Sequence, residues 1–110
     1  MMVDKNDSEV LDTSNLKESV DWRKEGAVTK PQTQGRCGAC WAFVVSSALE
    51  ALVKQKYGVL AELSVQQLID CSSQLPWNNF GCKGGLLPSA FQYTEERFIV
   101  QRSDYPYEAS

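Results

Sequence analysis

The 110 residues are 43% hydrophobic and 23% charged, ordinary for a soluble globular chain with room for one small domain and a modest core, and below the size of a two-lobed enzyme. A formal charge of −3 argues against nucleic acid as a partner. No stretch approaches the length of a membrane span, which argues against a membrane partner, and the start lacks the apolar core of a signal peptide.

Residues 1–18 are polar and charge-rich, with Val10, Leu11 and Leu16 among the few apolar positions, and read as a flexible leader. Ser19 to Thr29 alternates poorly and predicts an extended segment, a turn at Gly26 and a short strand, with Trp22 as a packing residue. The stretch Gln34-Gly35-Arg36-Cys37-Gly38-Ala39-Cys40-Trp41 then gathers two cysteines, two glycines, an amide side chain and a tryptophan. Trp41, Val44, Val45, Ala48, Leu49 and Leu52 recur at steps of three and four, so a helix starts near Cys40. It stops near Tyr57-Gly58, where glycine supplies the terminator. A thiol in that first turn meets unpaired N–H groups and the positive end of the helix dipole, which favour the attacking thiolate.

Three chemistries compete for the two cysteines. A four-thiolate zinc site would need Cys71 and Cys82 as well, but these are poorly spaced and the chain has no histidine, so no metal is expected. A thiol–disulfide exchange motif normally follows a buried strand, whereas Lys30 to Gly35 is polar and turn-like. A purely structural role, one cysteine bridged and one buried, suits Cys37 better than Cys40.

Farther on, Leu63 to Cys71 carries a capping box, Ser64 with Gln67, a staple at Leu63, and an apolar face of Val65, Leu68 and Ile69. A loop from Ser72 to Phe80 leads into Gly81-Cys82-Lys83-Gly84-Gly85, a glycine-rich turn. Pro88 to Arg97 predicts a helix with proline in its first turn, and Tyr105-Pro106-Tyr107 lies near the end.

Gln34 to Phe43 closely resembles the nucleophile segment of the papain-like, cathepsin-like cysteine peptidases. Ser19 to Thr29 resembles the mature start of that family, and Gly-Cys-x-Gly-Gly at 81–85 its second signature loop. The resemblance implies that Cys40 is the nucleophile and that Gln34 and the Cys40 N–H hold the oxyanion. It pairs Cys37 with Cys82 in a disulfide, leaving Cys40 free and Cys71 without a partner. It implies that Gly84 and Gly85 bind an extended peptide through backbone hydrogen bonds, with Gly38, Trp41 and Leu86 as further substrate-binding positions. Leu86, Leu87 and Ala90 serve equally well as a pocket wall or as core. The sequence departs from the family at Val44, where serine is usual, and at Arg97-Phe98, where glycines usually end the helix.

The expected fold is α+β, mainly α: the helical left-hand lobe of a papain-like two-lobed fold, over residues 19–110, without the second, β-barrel lobe. Residues 1–18 then resemble the end of a propeptide. No histidine is present to act as general base, and in the family the His and Asn follow the cysteine by roughly 130–150 residues, beyond the end of this chain. The expected activity is cysteine-type endopeptidase action by family. The alternative is an inactive peptide- or protein-binding module or a truncated product. Expected partners are a peptide or protein substrate and either a second lobe or another copy, with no cofactor. Four cysteines predict an oxidising compartment, and the resemblance implies a lysosomal or extracellular one.

Overall fold

The computed structural model describes residues 10–108. Among the described residues three helices, α1 (Cys40–Tyr57), α2 (Val65–Cys71) and α3 (Leu87–Glu96), surround one core, with a 3-10 turn at Gly81–Lys83. Among the described residues there is no strand, and β pairing is limited to one antiparallel bridge between Leu63 and Gln101. The helical lobe expected from the sequence is therefore formed. Residues 10–18 of the leader are exposed and carry neither helix nor strand, while the first nine lie outside the described residues.

The short strand expected after Gly26 is not present. Asp21 organises a turn instead: its carbonyl accepts from the N–H groups of Lys24 and Glu25, and its carboxylate accepts from the Arg23 N–H. This local bonding offers the backbone an alternative to a sheet ladder. Gly26 reverses the chain at φ +68°. Trp22, expected to pack, is 51% exposed.

α1 ends as predicted, with Gly58 in the left-handed region at φ +76° and its N–H donating to Lys54 O. Its buried face is rotated from the predicted stripe. Trp41 and Val45 point inward, but Val44 and Leu52 are 51% and 56% exposed, and Ala42, Ser46 and Glu50 are buried in their place. Two of those three are polar, which hid them from a hydrophobic criterion. Each has a partner: the Ser46 hydroxyl donates to Leu63 O, and Glu50 accepts from the Thr29 hydroxyl (3.0 Å), the Leu63 N–H (2.8 Å) and the Arg102 guanidinium (3.3 Å). Glu50 thereby ties the start of the lobe, the entry to α2 and the C-terminal segment to the central helix.

α2 starts as the capping box predicts, the Ser64 hydroxyl accepting from the Gln67 N–H at 3.1 Å. The second half of the box is spent elsewhere. The Gln67 side chain donates to the Tyr93 hydroxyl and Phe98 O and accepts from the Val100 N–H, so it joins α2 to α3 and to the strap behind it. α3 holds Pro88 in its first turn and buries Ala90 and Tyr93. Trp77 from the preceding loop stacks edge-on against Tyr93, with ring centroids 5.0 Å apart. No glycine ends α3: Arg97 leaves the helix in an extended conformation. Among the described residues no helix is long and apolar enough to cross a membrane.

Candidate active site

Cys40 is the first residue of α1, exposed and not in a disulfide. Ala39 precedes it and gives no side-chain cap, and the first turn holds no acidic residue. The helix ladder begins with Ala42 and Phe43, both donating to Ala39 O. The N–H groups of Cys40 and Trp41 therefore have no acceptor among the described residues, as helix geometry requires when no cap intervenes. The thiol thus stands beside unpaired donors at the positive end of an 18-residue helix.

The Cys37 carbonyl collects the loop in front of it. It accepts from the Ala39 N–H at 2.8 Å and from the Gln34 side-chain amide at 2.7 Å. Gln34 is half-buried, and its amide is thus anchored on the carbonyl of Cys37, with a second N–H to offer. Its own backbone carbonyl accepts the Tyr107 hydroxyl, which comes from 73 residues away.

Cys37 and Cys82 form a disulfide with Cα atoms 4.6 Å apart. This separates the two cysteines of C-x-x-C, since Cys37 is bonded to Cys82 and Cys40 is free; the exchange-motif reading of the pair ends there. No group of three or more metal-ligating side chains occurs among the described residues. Next to the bridge, the Gly38 N–H donates to Cys82 O at 2.8 Å. A β-carbon on Gly38 would sit 2.6 Å from that oxygen, so the glycine is required by internal contact between the two signature loops.

Trp41 is 3% exposed and donates its indole N–H to Gly81 O, which places it beneath the glycine turn as a support. Gly84 adopts φ +124°, a conformation other residues rarely take. Gly85 lies directly on the Trp41 ring. Among the described residues nothing pairs with the Gly85 N–H or carbonyl, and Leu86 beside it is 67% exposed. The turn is held open by Asn79, which is 3% exposed: its side chain donates to the Ser72 hydroxyl and accepts from the Leu86 N–H. Leu87 is 39% exposed and Ala90 is fully buried, so Ala90 belongs to the core.

A groove of about 460 Å³ runs along the outer side of α1, lined among others by Val28, Pro31, Phe43, Val44 and Ser47. Cys40, Val44 and Ser47 are spaced by four and three residues, so the groove continues the helix face that carries the thiol.

Sequence reasoning missed Asn79, Tyr107 and Glu50. Asn79 sits in a loop whose composition announces only a turn. Tyr107 was visible as part of Tyr-Pro-Tyr, but its contact with Gln34 is non-local and leaves no periodic trace. Burial holds the phenol of Tyr107 above its ordinary pKa, so it stays a donor.

The family described as papain family cysteine protease matches residues 16–110. Cathepsin S of Rattus norvegicus is 48% identical over 94 residues, covering 86% of this chain and 28% of the relative. Caricain of Carica papaya is 49% identical over 98 residues, covering 89% and 27%. Among solved structures, the Carica candamarcensis cysteine protease in complex with E-64 superposes with a TM-score of 0.80 at 41% identity, over 86% of this chain and 42% of that one. Digestive procathepsin L 3 of Tenebrio molitor larval midgut gives 0.83 at 44%, over 92% and 32%. The chain thus spans little more than a quarter of the length of these two curated relatives. On motif, fold and similarity together, it belongs to the papain family of cysteine proteases.

Proposed function

We propose that this chain is the nucleophile-bearing lobe of a cysteine-type endopeptidase. The observation that carries the reading is the free, exposed Cys40 at an uncapped helix start, with the Gln34 amide anchored just before it. The Cys40 thiolate attacks the carbonyl carbon of a peptide, forming a C–S bond while the carbonyl π electrons move to oxygen. The Cys40 N–H and the second N–H of Gln34 receive that oxyanion, where donors fixed in advance have their largest effect. Collapse expels the amine, and water then releases the acyl group. The substrate lies extended across Gly84 and Gly85, its main chain pairing with the unpartnered Gly85 N–H and C=O. Leu86 flanks the upstream side chain, and Gly38 and Trp41 shape the floor.

Protonating the leaving amine needs an acid that these residues do not supply, because the 110 residues contain no histidine. A second lobe bearing that group would pack along the groove beside Val28, Pro31, Phe43 and Val44. An oxidising compartment, lysosomal or extracellular, fits the Cys37–Cys82 bridge. Residues 1–18 fit the end of a propeptide, and 19–110 the lobe itself. The missing imidazole also favours a second reading for the 110 residues alone, a peptide-binding module without turnover.

Cleavage of a fluorogenic peptide tests the proposal. The chain alone gives no measurable turnover; adding a separately made lobe with His and Asn produces turnover that Cys40→Ser abolishes. Turnover by the pure chain that survives Cys40→Ser overturns the assignment of the nucleophile.

A further inference from the structure

The loop that carries Gln34 has little of its own to hold it. Residues 30–36 form neither helix nor strand, and most of them are exposed. Two of their hydrogen bonds are local, the Gly35 N–H to the Thr33 hydroxyl and the Gln34 amide to Cys37 O. Among the described residues, the one long-range hydrogen bond to this segment comes from the Tyr107 hydroxyl to Gln34 O. Tyr107 is itself well fixed. Its ring meets Phe43 edge-on at 5.1 Å between centroids, and Phe43 lies three residues past Cys40 on α1. On either side of it, Tyr105 O accepts the Ser64 hydroxyl at 2.7 Å and the Glu108 N–H donates to the Gln66 side chain at 2.9 Å, so α2 anchors the strap.

We propose that Tyr107 is a positioning residue for Gln34: braced on Phe43 and α2, its phenol fixes the Gln34 backbone against the helix that carries Cys40 and so holds the side-chain amide in register. The role of the amide as oxyanion donor rests on the function proposed above; the positioning itself does not. A loop anchored at one long-range point gains or loses its register with that point, and misplacement of a catalytic donor by about 1 Å is enough to lower its contribution about a hundredfold.

Tyr107→Phe removes the hydroxyl and keeps the ring on Phe43. In the full chain labelled with 15N-glutamine, the side-chain NH2 pair of Gln34 is identified by its loss in Gln34→Ala. In Tyr107→Phe that pair is expected to collapse toward the shifts of a free glutamine amide, while the pair of Gln55, exposed on α1, stays in place. A Gln34 pair that does not move overturns the proposal. The second readout is affinity for a peptidyl aldehyde, whose carbonyl carbon takes the Cys40 sulfur to give a hemithioacetal; its oxygen gains the negative charge and then a proton. Tyr107→Phe is expected to weaken this adduct about tenfold and to have no further effect in a Gln34→Ala background. An equal loss in that background shows Tyr107 acting on the fold at large and overturns the proposal. If the parent chain forms no adduct while the Gln34 pair still collapses in Tyr107→Phe, the positioning stands and the oxyanion role of Gln34 is what fails.

Discussion

A β-carbon on Gly85 would lie 2.6 Å from Cδ2 and 2.7 Å from Cε2 of Trp41. The indole is 3% exposed and hydrogen-bonded to Gly81 O, so it has no room to withdraw. Gly85→Ala is therefore expected to destabilise the lobe by about 1–3 kcal/mol in a urea melt, as overpacking does. Gly84→Ala meets nothing within 4 Å but must adopt φ +124°, and is expected to lose roughly 1–3 kcal/mol from backbone strain alone. A neutral Gly85→Ala would mean that the glycine turn does not rest on Trp41.

The Cys37–Cys82 bridge closes a sequence separation of 45 residues. In the chain-entropy treatment a loop of that size stabilises by about 4 kcal/mol. The double replacement of Cys37 and Cys82 by serine should lower the unfolding free energy by roughly 2–5 kcal/mol, measured by denaturant titration. An unchanged midpoint would show that the two signature loops stay together through Gly38 and Cys82 O without the bond.

Glu50 is 1% exposed and holds three elements at once. Glu50→Ala leaves the Leu63 N–H and much of the Arg102 charge without a buried acceptor, and is expected to destabilise by about 3 kcal/mol. Arg102 keeps a second carboxylate, Glu62 at 3.2 Å, which limits the loss. Glu50→Gln retains an acceptor for the Leu63 N–H and should lose less. Equal midpoints for Glu50→Ala and the parent chain would remove Glu50 from the account.

These residues also mark where the sequence stops speaking. The span of α1 was legible because Gly58 and the apolar spacing are local signals, and the Ser64–Gln67 cap was legible for the same reason. The face of α1 was read one step off because Ser46 and Glu50 are buried polar groups whose partners, Leu63 and Arg102, lie far along the chain. The strand expected after Gly26 lost to the Asp21 turn, a side-chain bond that propensity does not weigh. Cys40 and Gln34 were visible through their motif, whereas Tyr107 and Asn79 act through contacts that only the folded chain creates.

Tyr105 gives a pH-dependent test. Its hydroxyl donates to the Asp70 carboxylate at 2.6 Å, and that bond, with some burial, pushes its pKa up to about 12. The protonated phenol is the form the fold favours. This contribution is therefore fully present below about pH 10, the ordinary tyrosine value, and is lost as pH rises toward 12. Absorbance titration of the four tyrosines should show one ionising last, near 12, and absent in Tyr105→Phe. The stability of Tyr105→Phe should fall less than that of the parent between pH 10 and 12.

The proposal that Cys40 is the nucleophile is tested most directly by site-mapped labelling with a peptidyl epoxide. Attack of a thiolate on a ring carbon opens such an epoxide, forming a C–S bond as the C–O bond breaks and its electron pair passes to the ring oxygen. Cys40 is exposed and Cys71 only partly so, which lets peptide mapping by mass spectrometry compare two thiols in one chain. An adduct is expected on Cys40, formed faster than on Cys71 and slowed by Gln34→Ala. An adduct that forms equally on Cys71, or none on Cys40 while a small alkylating agent reaches it, would contradict the proposal.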